Sequence, residues 1–248
     1  MTYNNIGKVF FKEYYTEVDF GFVISEKEAD DKSIARVKDV NKKIRQSNLI
    51  PIDNPIGGLR TITATILYPG LITGTGLVHD SKGIEGGYNL GMHFDYTTGM
   101  PIVYGSSVKG VLRSYFEEFY DGDIDKKQLV EAIFDGKDGN GDPLPMYKRD
   151  VFFDAVITAA YKKDNKNPYF LADDSITPHT GGPLKNPLPI AMLKIAAGCK
   201  IEFRFLLKDT TINGATFSAD KKLKLFKDIL GTVGVGAKTN VGYGQLKI

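Results

Sequence analysis

Four stretches that alternate apolar and polar residues and two amphipathic helical stretches fall in the order strand, helix, strand, strand, helix, strand. That order predicts an α+β chain, the βαββαβ arrangement of ferredoxin-like and RNA-recognition-like folds, with an antiparallel sheet and both helices on one face. A long irregular connection follows the first strand and another precedes the third. An N-terminal helical extension over 1–55 should precede a single domain over 56–248.

Residues 1–50 predict two helices. The first, Ile6 to Tyr15, is short and aromatic. Ser25-Glu-Lys-Glu28 fits a capping box that would open a charged helix running to Gln46. Its apolar positions Ile34, Val37 and Ile44 make a thin stripe suited to a surface helix. Leu59 to Tyr68 sets Thr61, Thr63 and Thr65 against Ile62, Ala64 and Ile66, the signature of a half-buried strand. The connection from Pro69 to Gly105 is glycine-rich and carries His79, Asp80, His93 and Asp95; its length suits a working surface rather than an inert link.

Ser106 to Phe119 is the clearest helix. Val108, Val111, Leu112, Tyr115, Phe116 and Phe119 share one face, and Ser106 is placed to cap it. Lys109 lies in its first turn, where the helix macrodipole disfavours a cation by a few tenths of a kcal/mol. A bound phosphate would reverse that sign, taking the amides of Ser107 and Val108 together with the ammonium. Arg113 follows one turn along the same face. A second short helix is expected over 126–135. Asp138-Gly-Asn140-Gly-Asp142 resembles a calcium loop only in part, since Pro143 and Arg149 stand at positions that need glycine and glutamate, so it reads as a turn.

Val151 to Ala159, Lys200 to Leu207 and Gly242 to Ile248 predict the remaining strands. Asp220 opens the second helix, with Leu223, Phe226, Ile229 and Leu230 inward. Residues 162–189 read as irregular, and Lys221, Lys222 and Lys224 as a solvated helix face.

The chain ends in a glycine-dense stretch: Gly231, Gly234, Gly236, Gly242 and Gly244, with Lys238, Thr239 and Asn240 among them. Such density implies unusual dihedrals or a closely approached backbone. It is no phosphate-binding Walker A loop, because Ala237 stands where the lysine belongs and a helix precedes it instead of a strand. A dinucleotide fingerprint fails as well, Thr239 replacing its third glycine. The remaining reading is a platform whose amides, from Gly234 to Gly236, and whose lysine hold a phosphodiester backbone.

Charge agrees with that reading. Net charge is only +2, but residues 185–248 hold 11 Lys or Arg against four Asp or Glu. A basic C-terminal third favours a polyanion partner. The lone Cys199 excludes a disulfide framework and a cysteine zinc site, and no run of 18 apolar residues could span a bilayer, so a cytoplasmic protein is expected.

Several of these residues carry a family likeness. Gly105-Ser-Ser-Val-Lys-Gly-Val-Leu-Arg113 resembles the helix signature of the RAMP superfamily of CRISPR effector subunits, and Gly234 to Gly244 resembles its glycine-rich loop. Ile176-Thr-Pro-His179, Asn186-Pro-Leu-Pro-Ile190 and His93-Phe-Asp95 with Thr98-Gly-Met-Pro101 are similar to blocks of the sixth-subunit family of the Cmr (type III-B) complex. The resemblance implies a RAMP domain assembled with other Cmr subunits (the backbone RAMP, the small subunit and the other capping RAMP) on CRISPR RNA and target RNA. It implies no cofactor and no membrane. By the same resemblance, Ser106, Ser107, Lys109, Arg113, Gly234, Gly236, Lys238, Thr239, Asn240 and His179 would meet RNA without cutting it. The competing expectation is a ribonuclease using His79, Asp80, His93, Asp95 or His179 as acid–base groups.

Overall fold

The structure, a computed structural model, describes residues 5–19, 29–47, 57–74, 76, 79, 84, 86–161, 168–177 and 189–248. The Ser25–Glu28 capping box, Asp80 and His179 lie outside these residues.

Helix α1 (Ile6–Lys8) runs into a π-turn over Val9–Glu13, and α2 spans Asp31–Gln46. The cap of α2 is Asp30, whose carboxylate accepts the Ser33 amide, so this helix begins later than the Ser25 motif suggests. Its stripe is Val37, Val40 and Ile44, all buried in the same cluster as the sheet. Tyr14 joins the two N-terminal pieces to the rest: its hydroxyl donates to Asn41 Oδ1 at 2.8 Å and accepts the Tyr88 amide at 2.7 Å, while Asn41 reaches the Gly86 carbonyl. Tyr14→Phe leaves two buried polar groups unpaired, which should cost about 1–3 kcal/mol. Urea unfolding measures this, and an unchanged midpoint would contradict it.

The sheet is antiparallel, in the order β10 (Leu246–Lys247), β1 (Arg60–Ile66), β7 (Lys200–Leu206), β4 (Ala155–Ala159), β2 (Ile102–Val103). Strand β3 (Val151–Phe152), like β4, pairs with β7. Alternation places Ile62, Ala64, Ile66, Ile201, Phe203 and Phe205 inward, as their period-two spacing predicts. Helix α3 (Gly105–Phe119) buries Val108, Leu112 and Phe116 against this face, whereas Tyr115, expected inward, stays partly exposed. A short helix α4 (Lys126–Val130) continues as a π-turn to Asp135. Helix α5 (Ala219–Val233) buries Phe226, Ile229 and Leu230, with Phe226 5.6 Å from the Phe205 ring.

Two hairpins lie where the sequence pattern reads as irregular or assigns no strand. Strands β5 (Leu171–Ile176) and β6 (Ile190–Ile195) pair beyond the end of β1, inside and after a segment read as irregular. Strands β8 (Thr210–Ile212) and β9 (Ala215–Phe217) close on Asn213 and Gly214, both at positive φ. Lys222 is fully buried rather than solvated, its ammonium 2.5 Å from Asp150 Oδ2. The 138–142 segment is a turn, as expected, closed by the Asp138 carboxylate on the amides of Asn140 and Asp142.

Candidate nucleic-acid interface

The glycine-dense stretch folds back on itself. Gly234 ends α5 with φ 72° and donates its amide to the Leu230 carbonyl. Val235 then donates to the Gly244 carbonyl at 3.0 Å, Gly244 to Gly70 at 2.8 Å and Ala237 to Ile72 at 2.9 Å. These crossings explain three of the glycines. A Cβ on Gly244 would lie 1.8 Å from the Val235 oxygen, one on Gly234 2.4 Å from the Gly244 oxygen, and one on Gly236 2.5 Å from the Ile72 oxygen. What approaches these glycines is the chain's own backbone.

The amides of Gly234 and Val235, expected to meet phosphate, are therefore consumed internally. The free ones lie further on. Lys238 adopts the left-handed conformation (φ 58°), and Thr239–Val241 follow as a 3₁₀ turn. The Lys238 carbonyl accepts the amides of Val241 and Tyr243, and the Thr239 carbonyl accepts the Gly242 amide and the Gln245 side chain. The N–H groups of Gly236, Lys238, Thr239 and Asn240 meet no acceptor among the described residues. A left-handed residue followed by a helical one directs successive amides to one side, a concave arrangement that suits an anion. The Lys238 and Asn240 side chains are exposed beside it.

This turn is held from one side by β5 and β6. The Tyr243 hydroxyl donates to Asp174 Oδ2 at 2.7 Å, and Lys194 reaches the same oxygen at 2.5 Å while lying over the Tyr243 ring. Burial pushes the Asp174 carboxyl up, but these two hydrogen bonds outweigh it and hold it below the usual range. Ala237 and Tyr243 also pack on a small apolar cluster of Ile72, Leu90 and Met192.

At the start of α3 the picture differs from expectation. The residue before the helix is Tyr104, not Ser106, and it offers no side-chain cap. Its carbonyl accepts the amides of Ser107 and Val108 at 2.9 and 3.0 Å, so those two are not free for phosphate. Gly105 donates instead to Asp154 Oδ1 at 2.7 Å. The break between β3 and β4 places Asp154 there, and its carboxylate already answers the positive pole of the helix. Gly105 is required sterically, because a Cβ would stand 2.3 Å from the Phe152 oxygen.

Ser106 and Ser107 remain exposed. The Lys109 ammonium lies 5.9 Å from the centre of the Phe152 ring and has no ion pair among the described residues. Arg113 is engaged: its guanidinium meets Asp135 with Nη2–Oδ2 at 2.7 Å and Nε–Oδ1 at 3.3 Å. That hydrogen bond raises the Arg113 pKa and lowers that of Asp135.

The glycine-rich turn leads into β10 and α3 follows β2, which are opposite edges of the sheet. Four interstrand steps separate those edges, roughly 19 Å at the usual spacing. A single phosphate cannot bridge them; a strand several nucleotides long can. Between the two sites run Thr73, whose hydroxyl accepts the His93 amide at 2.9 Å, and His93, whose ring stacks on Tyr104 at 4.1 Å.

The acid–base candidates do not converge. His79 is buried, with Nδ1 2.9 Å from the Tyr88 carbonyl and Nε2 2.8 Å from the Phe10 carbonyl, and its ring stacks on Tyr14. Burial lowers its pKa, partly offset by those carbonyls. Asp95 accepts the amides of Thr97 and Thr98 and closes its own turn. His93 Nδ1 is buried without a partner among the described residues, and burial lowers that pKa too, against the pull of Asp154. Among the described residues no group of three His, Cys, Asp or Glu side chains could hold a metal ion, and no helix is long and apolar enough to cross a membrane.

Comparison with known proteins agrees with this architecture. No curated protein sequence matches the chain. Over 99% of its length the chain superposes on 86% of a chain from the type III-B Cmr-beta complex bound to cognate target RNA, at 19% identity and a TM-score of 0.54. Weaker likenesses are to Cmr6 (20% identity, TM-score 0.36, 77% of this chain and 99% of that one) and to oligomeric Cmr4 (15%, 0.38, 75% and 95%), both from Pyrococcus furiosus. The family model of the RAMP superfamily matches residues 63–247, from β1 to β10 and so through both helix α3 and the glycine-rich turn. The chain belongs to the RAMP superfamily.

Proposed function

We propose that this chain is a non-catalytic RNA-binding component of a type III-B CRISPR effector complex. In this reading it caps the backbone filament near the 3′ part of the guide RNA and helps hold guide and target beside neighbouring Cmr subunits. The observation that carries the proposal is the Lys238 turn, in which three consecutive amides meet no acceptor among the described residues and the lysine side chain is exposed. The separate structural employment of His79 and Asp95 supports binding over cleavage.

Ser106, Ser107 and Lys109 form a second contact zone at α3. Arg113 joins it only where a phosphate displaces Asp135. Gly234 and Gly236 shape the turn, and His179 falls between β5 and β6 in the sequence, outside the described residues. Phosphate contacts position RNA without reading its sequence, so specificity should be low.

The test is Lys238→Gly, which tolerates the left-handed backbone and removes the side chain with its ammonium. Fluorescence anisotropy with short single-stranded RNA over about 50–200 mM salt should show weaker binding and a log–log salt slope reduced by about 0.7. Affinity and slope equal to those of the parent chain would overturn the proposal.

A further inference from the structure

The two sheet faces are unequal, and the one away from the helices carries uncompensated charge at one end. Thr65 of β1 pairs with Lys247 of β10 on one side and with Lys200 of β7 on the other. Residues directly opposite in an antiparallel pair point to the same face, so the two ammonium stems flank the Thr65 hydroxyl in one row. Both lysines are exposed, and neither has an ion pair among the described residues. Glu202, two residues along β7 on the same face, is occupied by Arg204 at 2.7 Å.

Beyond Thr65 the same edge becomes apolar and aromatic. Leu67 continues the pairing through its amide to the Gln245 carbonyl and is 40% exposed. Tyr68 is 86% exposed and Val241, within the glycine-rich turn, 63%. Gly70 accepts the Gly244 amide, and Pro69 lies against Gly242, so the Tyr68 corner is fixed to the Lys238 turn.

The exposed Tyr68 ring, set beside a lysine row and a group of free amides, suits a ligand with alternating flat apolar groups and anions. Single-stranded nucleic acid has that character: bases stack on aromatic rings while cations follow the backbone. An acidic protein would use the lysines but not the ring.

We infer that Lys200, Thr65, Lys247 and Tyr68 form a track for single-stranded RNA that continues the Lys238 site onto the open sheet face, with a base stacked on Tyr68 and the following phosphates on the lysine row. The inference rests on the RNA-binding reading above and adds the ring and the face the strand takes.

The test uses the full chain with a fluorescein-labelled oligouridylate and, separately, its duplex with oligoadenylate. Tyr68→Ala should weaken single-strand binding by about 5- to 100-fold with the salt slope unchanged, whereas Tyr68→Phe should bind like the parent. Lys200→Ala with Lys247→Ala should reduce the slope by about 1.4. Duplex binding should not respond to Tyr68→Ala. All these positions are exposed or half-exposed, and an unchanged urea midpoint verifies that each variant folds. Parent-like single-strand binding by Tyr68→Ala and by the double lysine variant, alongside a loss in Lys238→Gly, overturns the track and leaves the Lys238 site standing. Absence of RNA binding by the parent chain overturns both.

Discussion

Lys222→Ala is expected to cost about 3–5 kcal/mol of stability, the range for removing one partner of a buried ion pair. For a chain of this size that corresponds to a fall in Tm of about 6–20 °C. Lys222 is fully buried; its ammonium lies 2.5 Å from Asp150 Oδ2 and 2.7 Å from Thr210 Oγ1. The other Asp150 oxygen accepts the Lys208 amide, so the carboxylate joins the approach to β3, the end of β7 and the first turn of α5, and the ammonium adds β8 through Thr210. Burial pushes Asp150 up and Lys222 down, and each is opposed by its partner's charge. Truncating the lysine leaves the carboxylate buried without a counter-charge. The neighbouring Lys221→Ala, on the exposed side, should change stability by less than about 0.5 kcal/mol. Replacing both partners, Asp150→Leu with Lys222→Met, should recover much of the loss, because the cost lies in the orphaned charge. Urea unfolding of the three variants decides the matter: a loss below about 1 kcal/mol in Lys222→Ala would mean that the pair is dispensable.

Lys222 also shows where sequence reading stops. Its charge reads as solvated, although Ala219, Lys222, Phe226, Ile229 and Leu230 share the helical spacing of the buried face. Its partner lies 72 residues earlier, and no local pattern connects them. The strands with clean period-two alternation, β1 and β7, read directly from their residues. Strand β5 did not, because Leu-Ala-Asp-Asp-Ser-Ile lacks β-branched and aromatic residues except at its end; pairing with β6 and the Lys194 and Tyr243 contacts to Asp174 sustain it. The β8–β9 hairpin carries the usual local signal, Asn-Gly between β-forming threonines.

The site divides in the same way. A cation in the first turn of α3 is visible in the sequence, but the carboxylates that make it tolerable are not: Asp154 meets the helix start, and Asp135 is close enough to Lys109 for its charge to be felt. Anion binding is then not needed to explain Lys109. Glycine density in the terminal turn is equally visible, yet which amides stay free depends on carbonyls of Gly70 and Ile72, contributed by a distant stretch of chain. The concavity consequently sits at 238–240 rather than at 234–236.

The five terminal glycines should therefore respond to alanine in opposite directions. Gly231 lies inside α5 without a positive φ, and a Cβ there would meet Ile248 Cδ1 at 3.4 Å, an ordinary contact. Gly231→Ala should stabilise the chain by up to about 1 kcal/mol through helix propensity, and RNA affinity should not change. Gly244 has φ 68°, and its Cβ would fall 1.8 Å from the Val235 oxygen, a backbone atom that moves only if the whole crossing opens. Relief of that overlap breaks the Val235–Gly244 and Gly244–Gly70 hydrogen bonds and releases the Lys238 turn from its frame. Gly244→Ala should cost about 3 kcal/mol or more, combining strain at a left-handed position with lost buried hydrogen bonds. It should also weaken RNA binding beyond Lys238→Gly, because the free amides would lose their common orientation as well as their neighbouring charge. Measured together, urea midpoints and RNA affinities separate the two roles. Should Gly244→Ala remain as stable as Gly231→Ala, the turn is not built as described; should it be destabilised yet bind RNA like the parent chain, the amides of 238–240 are not what holds the phosphate.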